Sequence, residues 1–138
     1  MKNKGATMEY ADERINDLYR AYKEYISHCD YIRMPEVYNA IVNMPAKRFW
    51  VSDIRAALVV AAIIRGEAVL DSMWPLKREM YSEIYHRVIN LKNLNPNLPI
   101  SQLCATVVSQ PAPKFYLTPG SAKMMICKWK KQLKLRQS

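Results

Sequence analysis

Apolar residues recur along much of the chain at spacings of three and four, the period of a helix buried on one face. Ile15, Leu18, Tyr19, Tyr22, Ile26 and Cys29 predict a first helix from about Glu9 to Cys29. A second such stripe, Leu76, Met80, Ile84, Val88 and Leu91, follows Pro75, a residue suited to the first helical position. Shorter helices are expected over about Pro35–Met44 and Ile100–Gln110, the latter set off by the helix-breaking run Asn95-Pro96-Asn97-Leu98-Pro99. Ser52 and Thr118 are good N-caps, and they open two further helices, Asp53–Arg65 and Pro119 to about Leu135. Val51 or Leu117 just before the cap can pack on Ala56 or Ala122 as a hydrophobic staple. The expected fold class is all-α.

The helices follow a repeat. Shifted by 66 residues, Val42-Asn43-Met44-Pro45-Ala46-Lys47-Arg48-Phe49-Trp50-Val51-Ser52 lies over Val108-Ser109-Gln110-Pro111-Ala112-Pro113-Lys114-Phe115-Tyr116-Leu117-Thr118. Four positions match outright, and Arg48/Lys114, Trp50/Tyr116, Val51/Leu117 and Ser52/Thr118 are conservative pairs. The register extends backwards through Val37/Leu103, Tyr19/Tyr85 and Leu18/Ile84. This is the signature of an internal repeat. It predicts two tandem three-helix units, residues 9–66 and 72–136, packed into one compact domain, with Phe49 and Phe115 tucked into the core at the corner before the third helix.

The two third helices differ. Residues 53–65 are apolar almost all round, which predicts a helix buried on every side, either as the element against which the second unit packs or as a homodimer interface. The helix from Pro119 keeps one apolar face, Ala122, Met125, Ile126, Trp129 and Leu133, and is basic elsewhere. At the 66-residue offset Ala57, Ala62 and Ile64 become Lys123, Lys128 and Lys130. Charge sharpens the contrast: residues 1–70 hold ten Lys/Arg against nine Asp/Glu, residues 71–138 eleven against three, and no carboxylate side chain follows Glu83. A one-sign field of that length favours a polyanionic partner.

Three helices per unit, the last capped and basic, resemble the helix-turn-helix DNA-binding proteins in helix order. The resemblance implies a last helix in the major groove with phosphates held by lysine and arginine. The corner from Pro45 to Ser52 is longer than the motif's short turn, and the basic helix lacks the Arg, Asn or Gln near its start that usually contacts bases. The expected function is therefore non-enzymatic binding of the backbone of nucleic acid, duplex DNA first, by a regulatory protein or mobile-element accessory. Lys114, Lys123, Lys128, Lys130, Lys131, Lys134 and Arg136 are the candidate contacts. Two other readings fit the same residues: an adaptor whose basic helix meets an acidic protein, and a helix lying on an anionic membrane surface.

Other chemistry finds little footing. Three cysteines, Cys29, Cys104 and Cys127, are odd in number and widely spaced, and His28-Cys29 has no second ligand cluster, so no disulfide framework and no metal site is expected. Gly5, Gly66 and Gly120 are too far apart for a phosphate loop. Glu79 and Glu83, beside Lys77, Arg78 and Arg87, read as helix ion pairs, and the tyrosines of the first helix as the edge of a core. No cofactor or small-molecule substrate is expected. The longest uncharged apolar run, Ala56–Ile64, is nine residues, against roughly 20 for a membrane span. With no signal-peptide pattern at the N-terminus, a cytoplasmic location is expected.

Overall fold

The computed structural model describes the backbone of residues 4–137 and side chains from residue 10 to residue 136. Among these the fold is all-helical: α1 (Lys4–Ser27), α2 (Met34–Ile41), α3 (Asp53–Ile64), a 3-10 turn (Val69–Ser72), α4 (Pro75–Leu94), α5 (Ile100–Val108) and α6 (Pro119–Gln137). The predicted starts hold where local chemistry fixes them. Ser52 Oγ accepts from the Arg55 N–H at 3.0 Å and Thr118 Oγ1 from the Ser121 N–H at 3.1 Å, while Pro75 opens α4. The end of α3 is equally local. Gly66, at φ +84°, donates to the Ile63 carbonyl and Glu67 to that of Ala62, a Schellman closure that glycine's freedom at positive φ permits.

The helices group into two packing units, and the groups are not the expected spans 9–66 and 72–136. One unit is Met1–Ala46 with Pro113–Ser138, so that α6 packs with α1 and α2; the other is Lys47–Ala112, in which α3 packs with α4 and α5. Each therefore joins the first two helices of one repeat copy to the third helix of the other. The backbone records the same crossing twice. In the second unit the Phe49 N–H donates to the Val108 carbonyl at 3.0 Å; in the first the Phe115 N–H donates to that of Val42, also at 3.0 Å. Both partners shift by the 66-residue offset.

Burial follows that offset too. Leu18 and Ile84, Val37 and Leu103, Ile41 and Val107, Ala46 and Ala112, Phe49 and Phe115, Ala56 and Ala122, and Val60 and Ile126 are all buried. Matching clamps hold the two corners. Arg20, ion-paired with the buried Asp17, donates to the Pro45 carbonyl; Arg87, ion-paired with Glu83, donates to the Pro111 carbonyl at 3.1 Å.

One expectation for α3 fails. The helix is not buried on every side: Ala56, Val59, Val60 and Ala62 face its unit's core, but Ile54 is 72% and Leu58 62% exposed, and Ile64 is exposed as well. A helix of twelve residues flanked by two others is covered over a single arc, and apolar composition cannot bury the remainder.

Candidate nucleic-acid interface

The basic surface of the first unit is built on α6. Ala122, Ile126 and Trp129, spaced by four and three, are buried on the side of α1 and α2, with Met125 and Leu133 half-buried at the edges. The other positions of the helix then turn outward, and these carry the lysines. Lys123, Lys128, Lys130, Lys131, Lys134 and Arg136 are all exposed. Spacings of seven and four place Lys123, Lys130 and Lys134 in one row, while Met124, Lys128, Lys131 and Leu135 form the row beside it. Met124 and Leu135 are about three-quarters exposed, so that second row alternates apolar ends with a cationic middle. By composition the first unit holds thirteen Lys/Arg against seven Asp/Glu and the second unit eight against five. The larger excess thus lies with α6.

The seven candidate residues are not equivalent. Lys130 donates from Nζ to the Tyr22 hydroxyl and lies 4.4 Å from the centre of that ring, so it ties α6 to α1. Arg136 lies 5.4 Å from the Trp129 ring, whose buried body it covers. Lys114 is half-buried over Tyr116, at 5.6 Å, in the corner before α6. Its repeat counterpart Arg48 covers Trp50 in the same way, at 5.3 Å, and also donates to the carbonyls of Phe49 and Val51. Residues at this position stiffen the corner. Tyr116 itself has φ 57°, a left-handed conformation that a non-glycine residue adopts at some cost in strain. Lys123, Lys128 and Lys131 are the exposed lysines on which phosphate contact can most directly fall.

The first-helix tyrosines are mostly structural. Tyr22 is buried and stacks on Tyr19 at 5.8 Å and on Tyr38 at 6.5 Å. Burial, then the neighbouring Cys127 thiol, pushes the Tyr38 hydroxyl up to about 12, and burial pushes the Cys104 thiol up to about 11. Both groups keep their protons in the folded chain at pH values where the unfolded chain has lost them. Their contribution is complete below the unfolded values and is lost as pH rises through about 9–11 for Cys104 and 10–12 for Tyr38. Urea midpoints should therefore fall between pH 9 and 11, and the fall should be shallower in Tyr38→Phe. Alkylation at pH 8 should reach exposed Cys127 first and buried Cys104 only on unfolding.

The end of α1 is occupied with its own capping. His28 Nδ1 lies 2.8 Å from the Glu24 carbonyl, and Cys29 Sγ donates to the Tyr25 carbonyl at 3.3 Å. Among the described residues no three His, Cys, Asp or Glu side chains gather where they could hold a metal ion, and no helix is long and apolar enough to cross a membrane. Comparison of the chain with protein-family models, with curated proteins and with solved structures returns no match.

Proposed function

We propose that this is a non-enzymatic nucleic-acid-binding protein, a regulatory protein or mobile-element accessory of the cytoplasm, in which α6 lays its lysines against the backbone of duplex DNA. The observation that carries the reading is the outward basic surface of α6, whose exposed Lys123, Lys128 and Lys131 stand in a segment without a single carboxylate side chain. Ammonium groups so placed neutralise phosphates and release condensed counterions, a sequence-independent source of affinity. In a helix-turn-helix-like arrangement α6 serves as the third helix on α1 and α2. The local turn of that motif is missing, because α2 and α6 are not consecutive.

The membrane-surface reading is weakened by the same geometry. Ile126 and Trp129, the residues that would enter the lipid, are buried within the unit, and insertion would require undocking the helix. The adaptor reading draws support from Ile54 and Leu58, exposed on α3, where a second protein or a second copy of this chain could sit.

A salt titration on two unrelated duplexes tests the proposal. Four phosphate contacts, by Lys123, Lys128, Lys131 and Lys134, give a log-log slope of about −3 to −4. Replacing Lys123, Lys128 and Lys131 together by Ala should reduce that slope by about 3 and weaken both sequences alike, with helicity retained because alanine favours the helix. Absence of duplex binding at low salt sinks the reading, and preference for an acidic protein or for anionic vesicles in parallel assays transfers it to the rivals.

A further inference from the structure

Nothing in the 66-residue pattern requires a copy of the repeat to take its third helix from the other copy, yet each packing unit does so. The residues that make the exchange are the same in kind on both sides. A phenylalanine enters the core, alanine follows seven residues on, a β-branched aliphatic four further, and a large apolar residue three beyond that: Phe49, Ala56, Val60 and Ile63 in one case, Phe115, Ala122, Ile126 and Trp129 in the other. All are buried except Ile63, which is half-buried. The receiving surfaces match as well, with Leu18, Val37 and Ile41 on α1 and α2 and Ile84, Leu103 and Val107 on α4 and α5, every one buried. Each incoming segment is fastened by one backbone bond ahead of its helix, Phe49 to Val108 or Phe115 to Val42.

We infer that the first two helices of each copy form an acceptor for a third helix supplied by a second copy, and that the chain is a fused pair of what is in substance a two-piece assembly. The link over residues 65–74 joins the copies without being what holds them. Two fragments severed there share both cores: the N-terminal piece contributes α1 and α2 to one unit and α3 to the other, and the C-terminal piece contributes α6 to the first and α4 and α5 to the second. Mutual donation of an element is a low-cost route to a dimer, since every contact of the closed form is remade.

The test is a specific-protease site inserted after Glu67, within an exposed run from Ile64 to Ala68, and cleavage of the otherwise complete protein. The cut chain is expected to elute as one species holding both fragments in equal amount, with helicity unchanged. Its melting temperature should rise with protein concentration, as for any bimolecular fold. Two separate peaks, or loss of helicity on cleavage, overturn the inference. Should the insertion itself disturb the uncut chain, Trp129→Ala in the uninterrupted protein gives an independent answer by amide exchange. Deprotection of α1 and α2 supports donation of α6 across copies, whereas deprotection of α4 and α5 shows that each copy closes on itself.

Discussion

Phe49→Ala is expected to destabilise the protein by about 3–5 kcal/mol, and Phe115→Ala by a similar amount, because each removes a buried ring and leaves a cavity that its neighbours fill only in part. Phe49 has no exposed surface and Phe115 almost none. The ring of Phe49 also lies 4.9 Å from the Arg87 guanidinium, whose clamp on the Pro111 carbonyl would lose its support. The two losses should fall in different places. Phe49 stands in the second unit with α4 and α5, and Phe115 in the first with α1 and α2, so amide exchange should speed up on opposite sides of the sequence from the substituted residue. Urea unfolding checks the magnitude and residue-resolved exchange the location; near-neutral changes at both positions would mean that the rings do not fill these cores.

Trp129→Ala should be comparably severe, again about 3–5 kcal/mol. The indole is the largest side chain that α6 presents to α1 and α2, and its loss removes the surface that Arg136 covers. The consequence for binding differs from that of the lysine substitutions. Removing Lys123, Lys128 and Lys131 lowers the salt slope while the fold stands; removing Trp129 leaves all the lysines on a loosened helix, so that affinity falls with little change in slope until α6 itself melts. A variant of Trp129 that kept both its urea midpoint and its affinity would contradict the docking of α6 described above.

The parts legible in the sequence were those settled by near neighbours. The caps at Ser52 and Thr118 and the opening of α4 at Pro75 each depend on residues within a turn, and the chain shows them directly, while the burial of Phe49 and Phe115 was legible from their recurrence at one position of the repeat. Even the Glu83–Arg87 ion pair follows from a spacing of four. The pairing of helices was not legible, for a physical reason. Each third helix carries the same apolar pattern and each first pair of helices presents the same kind of surface, so periodicity cannot say which acceptor a helix will occupy. Nor could composition show that Ile54 and Leu58 face outward on α3, since it reports how much apolar surface exists and not how much is covered. Within the candidate interface the lysines were visible as a group. That Lys130 spends its ammonium on Tyr22 and Lys114 lies over Tyr116 depends on contacts that only the folded chain makes.

The order in which a ribosome delivers these helices gives the exchange a consequence in time. The second unit is one continuous stretch, Lys47–Ala112, and has all its parts once Ala112 has emerged. The first unit must wait: α2 ends at Ile41, but α6 does not begin until Pro119. At about 5–20 residues per second the wait is on the order of several seconds, during which Leu18, Tyr22, Val37 and Ile41 are without α6, the helix that covers them in the folded chain. The nascent chain thus passes through an interval with one finished core and one open apolar surface. In that interval the surface that α6 will later close is open to any third helix of the same apolar pattern.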